Sequence, residues 1–180
     1  MRYVVTGVGR CGTTFLMLIL CKLGIDTGFD FDSEAHRCKN KKCNSGFETG
    51  NLSLTVTKSP GYVLHKHMRD NIRKGYFILL MQRSFSEVAA SQERYQGTDG
   101  GCIPITHLKN HPQYLANLHD DFIKWMKENK VHHTNIDFHS AIQDPRYLYD
   151  KLKPTGVIDN IDYPTFKSAW EIADNHQKRK

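Results

Sequence analysis

A chain of 180 residues is long enough to bury a core of its own and short enough to form one domain, residues 1–180. With 39% hydrophobic and 24% charged residues it has the make-up of an ordinary globular protein, which argues against a disordered chain. A net charge of +6 favours an anionic partner: a nucleotide, a sulfated polymer or a nucleic acid.

Taken in chain order, Arg2–Thr6 reads as a buried strand around Val4-Val5, and Thr13 to Leu23 as a helix closed by Gly24. The helix contains the longest apolar run, Phe15 to Cys21, far short of the roughly twenty residues a membrane helix needs. With Arg2 and Arg10 ahead of it, that run mimics a secretory signal. Cys21-Lys-Leu-Gly24 offers no small-x-small cleavage site, however. The five cysteines are odd in number and irregularly spaced, which suits a reducing compartment, so a cytoplasmic protein without a membrane span is expected.

Residues 26–51 are rich in Gly, Asp, Asn and Lys and read as a long surface excursion. Leu52–Thr57 alternates as a strand that ends at Lys58-Ser-Pro60, and Tyr62 to Lys74 reads as a helix. Tyr76–Met81 is a continuous apolar run, as in a parallel sheet covered on both faces. Ser84 and Glu87 form a capping box for a helix over Phe85–Tyr95. A glycine-rich loop, 96–112, precedes an amphipathic helix carrying Tyr114, Leu115, Leu118, Phe122, Trp125 and Met126. A strand over His133–Phe138 follows, then one helix opened by Asp144-Pro145 and a last one opened by Tyr163-Pro164. The terminal His176–Lys180 is expected to be a frayed, solvated end.

The alternation of strand and helix predicts an α/β sandwich with a mainly parallel central sheet. Ligands of such sheets sit beyond the carboxyl ends of the strands, where Thr6, Lys58 and Arg83 fall. Here the first turn is the most informative segment. Gly7 to Thr14 joins a strand to a hydroxyl-rich helix start, so backbone N–H groups and the positive helix end converge on one point. That arrangement holds phosphate or sulfate. Its outline is close to a Walker A loop, with two glycines five apart, but Thr13 stands at the lysine position and the cation sits earlier, at Arg10.

Two separated segments then resemble the sulfotransferase family. Gly9-Arg-Cys-Gly-Thr-Thr-Phe-Leu16 resembles the family's 5′-phosphosulfate loop. Ile78–Ser91 is similar to its 3′-phosphate element, with Arg83 at a strand end and Ser91 eight residues on, inside the next helix. Thr57-Lys-Ser-Pro60 is similar to a strand end of the heparan and bacterial branches, and Leu23–Gly28 to a segment of bacterial members. The match covers roughly the first hundred residues well. The Arg-Lys-Gly segment of the cytosolic enzymes has no counterpart in the C-terminal third.

The resemblance implies a P-loop NTPase-like three-layer α/β sandwich. It implies 3′-phosphoadenosine 5′-phosphosulfate as donor, adenosine 3′,5′-bisphosphate as product and a hydroxyl or amine as acceptor, rather than nucleic acid as partner. Gly9, Arg10, Cys11, Gly12, Thr13 and Thr14 would hold the 5′-phosphosulfate, and Arg83 with Ser91 the 3′-phosphate. Arg10 would also grip the transferred group through its planar fork, with Lys58 as a second cation. The general base of the heparan branch is replaced by Thr57 and that of the cytosolic branch by Pro60. Glu34 and His36 are the substitutes expected, with His65 behind them. A positioned base is worth about 10²–10⁴-fold, so without one the chain would be a slow enzyme or a binder.

Two other readings compete with this one. A small P-loop kinase would want the Walker lysine and a magnesium-holding acid, and a degenerate module would hold nucleotide or polyanion without chemistry. No metal is expected. His36, Cys38 and Cys43, with Cys102 or His107, have ligand-like residue types, but Lys39, Lys41 and Lys42 would crowd cations around the ion.

Overall fold

The computed structural model describes residues 1–32, 46–72, 75–94 and 110–178. Four strands, β1 (Arg2–Thr6), β2 (Val56–Lys58), β3 (Tyr76–Gln82) and β4 (His132–Asp137), form one sheet in the order β2-β1-β3-β4. Every pairing in it is parallel. The register places Val5 opposite Lys58 on one side and Leu79 on the other, so the strands end together.

Successive strand residues face opposite sides of a sheet. All of Tyr3–Thr6 and Ile78–Met81 are buried, so both faces of β1 and β3 are covered, as the continuous apolar run of β3 predicted. The cover comes from two groups of helices. In the first, α1 (Thr13–Lys22) packs on α8 (Tyr163–Lys178), which packs in turn on α7 (Pro145–Leu152). In the second, α4 (Phe85–Arg94) packs on α5 (His111–Glu128), and α5 meets α2 (Gly61–Leu64). Short α3 (Lys66–Arg69) follows α2, and α6 (Phe138–Gln143) leaves β4 directly. The chain is therefore α/β, a coarse sandwich around an all-parallel sheet.

Helix α1 is buried from Thr13 to Leu20, more than a one-sided helix would be, because β1 and α8 both press on it. Phe15 meets Trp170 of α8 edge-on, with ring centroids 6.1 Å apart. The Trp170 indole N–H donates to the Ala141 carbonyl at 2.7 Å, which ties α8 to α6. Gly24, at φ 74°, supplies the left-handed residue that ends α1. Asp144 caps α7, accepting from the Arg146 amide at 2.7 Å.

Three expected elements differ. The strand read over Leu52–Thr57 shrinks to Val56–Lys58, because Asn51 Oδ1 accepts from the Ser53 amide and hydroxyl and turns residues 51–53 on themselves. The helix read over Tyr62–Lys74 breaks at His65, whose extended φ of −127° separates α2 from α3. The last helix runs on to Lys178 instead of fraying at His176, and the His176 ring lies 5.6 Å from that of Phe31. Among the described residues no helix is long and apolar enough to cross a membrane.

Candidate functional site

The turn Gly7–Gly12 leaves the buried end of β1 and enters α1. Three tight positions shape it. Gly9 and Gly12 have φ of 80° and 92°, and Arg10, a residue with a side chain, is held at φ 56°. Such a residue costs on the order of 1–2 kcal/mol in the left-handed region, so the surrounding contacts must impose it. They are visible. A Cβ on Gly7 would stand 2.2 Å from Cys11 Sγ and 2.7 Å from the Met81 carbonyl oxygen. A Cβ on Gly12 would stand 2.1 Å from the Phe138 ring. The buried Gln92 donates from Nε2 to the Val8 carbonyl at 2.9 Å, and His111 Nε2 lies 2.8 Å from Gln92 Oε1.

Gly12, the N-cap of α1, has no side chain and so makes no side-chain cap to the first free amides of that helix. The Thr13 and Thr14 side chains are nearly buried at the same turn. Arg10 reaches across to α4, where its Nε donates to Ser91 Oγ at 3.2 Å. The first loop and the serine of the second motif therefore meet directly.

Arg83 follows β3 at the same rim. Its guanidinium stacks over Phe138, 5.1 Å from the ring centre, and Phe138 in turn fills the space beside Gly12. One ring thus separates Arg83 from the glycine turn. Arg83 Nε is a buried donor with no acceptor among the described residues. Its NH2 lies 3.5 Å from Glu87 Oε1, and Glu87 Oε2 lies 2.8 Å from His139 Nε2. The bond from His139 first, and Arg83 after it, hold the Glu87 carboxyl below the usual range. Glu87 thus spends its carboxylate on these two partners rather than on the capping box the sequence suggested.

Lys58 ends β2, buried, and its ammonium is fully engaged. It donates to Thr14 Oγ1 at 2.9 Å, to the Gly46 carbonyl at 2.5 Å and to Glu48 Oε1 at 2.8 Å. Thr57, its neighbour along the strand, points to the opposite face of the sheet, and its hydroxyl has no partner among the described residues. Pro60 opens α2. At the outer edge of the rim, Asp137 caps α6 by accepting from the Ser140 amide at 2.7 Å, and that bond lowers its carboxyl.

Of the residues singled out in the sequence, Gly9–Thr14, Lys58, Arg83 and Ser91 gather at one edge of the sheet. His65 does not join them: it is exposed and stacks on His67 with centroids 5.6 Å apart. Glu34 and His36 lie outside the described residues, as do Cys38, Cys43, Cys102 and His107. Sequence reasoning missed Glu48, Gln92, Phe138 and His139. None sits at a motif spacing, and only the strand order brings them to the glycine turn. Searches of protein-family models, of curated proteins and of solved structures each returned no match to this chain.

Proposed function

We propose that this chain is a cytoplasmic enzyme with a P-loop NTPase-like fold that transfers a sulfuryl group from 3′-phosphoadenosine 5′-phosphosulfate to a hydroxyl or amine. The observation that carries the reading is the contact between Arg10 and Ser91, since it unites the two sequence elements that would hold the two ends of one nucleotide. The chain's own chemistry fits the donor in two further respects. The start of α1 has no side-chain cap, and Arg83 Nε is a buried donor in want of an acceptor oxygen.

In this reading the amides from Cys11 to Thr14, with the Thr13 and Thr14 hydroxyls, hold the 5′-phosphate. Arg10 holds the transferred group, Lys58 adds a second positive charge beside it while its own N–H bonds stay on Thr14, Gly46 and Glu48, and Arg83 with Ser91 hold the 3′-phosphate. The bound donor supplies an activated sulfuryl and a stable leaving group. The protein's part is to place cations where charge accumulates, in a site already organised before binding. Lys58 is oriented by Thr14, a residue of the loop it serves, so the cation is aimed at the anion cradle. A kinase reading is disfavoured because Thr13, at the Walker lysine position, is a short and nearly buried side chain.

Calorimetric titration with adenosine 3′,5′-bisphosphate and with ATP tests the assignment. Binding of the bisphosphate at least tenfold tighter than ATP is expected, together with transfer of labelled sulfate from the donor to a hydroxyl or amine. Equal or tighter binding of ATP would overturn it.

A further inference from the structure

We propose that Glu48 is the general base that takes the proton of the acceptor; this rests on the sulfotransferase reading above. Neither of the positions that would carry a base by resemblance has a titratable side chain, since they hold Thr57 and Pro60. The geometry supplies another carboxylate to the same place. Glu48 Oε1 lies 2.8 Å from Lys58 Nζ, and that ammonium lies 2.9 Å from Thr14 Oγ1 in the first turn of α1. A single cation therefore separates the Glu48 carboxylate from the anion cradle. Burial orders the three groups from inside to outside. Thr14 and Lys58 are covered, whereas the Glu48 side chain is 45% exposed. Glu48 thus lies on the side from which an acceptor would approach from solvent.

Only one carboxylate oxygen is committed. Oε1 is held by Lys58, and Oε2 has no partner among the described residues. The fixed oxygen orients the group and the second is left to accept a proton, the division of labour a positioned base requires. Backbone pairing keeps the segment in place, because the Thr49 amide donates to the Lys58 carbonyl at 3.1 Å. Two other acids at the rim among the described residues are engaged elsewhere. Glu87 is divided between Arg83 and His139, and Asp137 caps α6.

In the step assigned to it, the acceptor O–H or N–H bond breaks and its proton passes to Glu48 Oε2. The electron pair left on the acceptor atom forms the new bond to sulfur. The pair of the broken sulfur–oxygen bond leaves on the 5′-phosphate of the nucleotide product. Lys58 stays protonated throughout, and it balances first the Glu48 carboxylate and then the charge that gathers on the transferred group.

The test compares the wild-type chain with Glu48→Gln, using adenosine 3′,5′-bisphosphate and p-nitrophenol as probes. E48Q is expected to bind the bisphosphate within about threefold of wild type. With labelled donor, E48Q should also lose at least 100-fold in transfer to an aliphatic alcohol and less than tenfold to p-nitrophenol, which gives up its proton unaided. Equal rate losses on both acceptors, or a rate of transfer to the alcohol in E48Q within tenfold of wild type, would each overturn the role of Glu48. Failure of the wild type to bind the bisphosphate would instead overturn the underlying sulfotransferase reading.

Discussion

Arg10 and Ser91 are 81 residues apart in the chain, yet the arginine Nε donates to the serine hydroxyl at 3.2 Å. Arg10 hangs from a turn after β1 and Ser91 projects from α4 after β3. Parallel pairing of those strands, Val5 opposite Leu79, brings the two within reach. An arginine in the left-handed region, φ 56°, is thereby aimed across the rim rather than along its own turn.

From this contact the two side chains are expected to affect nucleotide binding unequally. Arg10→Ala removes a charged donor and should weaken binding of adenosine 3′,5′-bisphosphate roughly 10- to 100-fold, whereas Ser91→Ala should cost roughly 3- to 10-fold. Isothermal titration of both variants checks the order. Equal losses would mean that the serine acts by orienting the arginine.

Gly12 is the position at which a methyl group should do most harm. It combines φ 92° with a Cβ position 2.1 Å from the Phe138 ring. Gly12→Ala should lower stability by about 2–4 kcal/mol, from left-handed strain and overpacking together. Thermal unfolding should show it as a midpoint lower by roughly 5–15 °C for a domain of this size.

Lys58→Met should cost both stability and function. Met fills much of the same volume but strands the Gly46 carbonyl and the Glu48 carboxylate, and removing one partner of a buried pair destabilises, less here because Glu48 is half-exposed. The expected loss of unfolding free energy is about 1–3 kcal/mol, while sulfuryl transfer falls by about 100-fold or more. Urea denaturation and a labelled-donor assay on the same preparation check both halves.

Away from the rim, Asp121 should govern part of the acid sensitivity. Buried Arg69 donates to Asp121 Oδ2 at 2.7 Å and to the Tyr62 and Val63 carbonyls, and Lys66 adds a weaker pair at 3.2 Å. The Arg69 bond above all holds the Asp121 carboxyl below its usual range. A carboxyl lowered by folding stabilises the protein above its unfolded-state pKa, and that contribution is lost as pH falls through the folded value. Asp121→Asn should therefore be less stable than wild type at neutral pH, and the gap should close below the ordinary carboxylate range. Denaturation midpoints between pH 7 and roughly pH 2 test the sign.

The parts of this molecule that were legible in the sequence are those set by local chemistry. Val4-Val5 and Tyr76–Met81 announce central parallel strands because both faces must be apolar, and Asp144-Pro145 announces a helix start because the side chain can cap it. The glycine turn was legible for the same reason. The Leu52–Thr57 alternation misled because Asn51 offers the backbone a competing turn, and a period-two pattern cannot register that competition. Glu48 and Phe138 were beyond reach for another reason. Glu48 meets Lys58 only because residues 46–49 return alongside β2, and Phe138 meets Gly12 only because β4 lies next to β3. Those are facts of strand order, which no short window encodes.

β2 has three residues and lies at the margin of the sheet, whereas β1 and β3 have neighbours on both sides. Peripheral short strands detach at lower free energy than central ones. Transient release of β2 would carry Lys58 and its carboxylate partner off the first turn of α1, while Arg10 and Ser91 stayed anchored on the strands that remain. The molecule is thus built to breathe from one side, and amide hydrogens of β2 should exchange with solvent well ahead of those in β1 and β3.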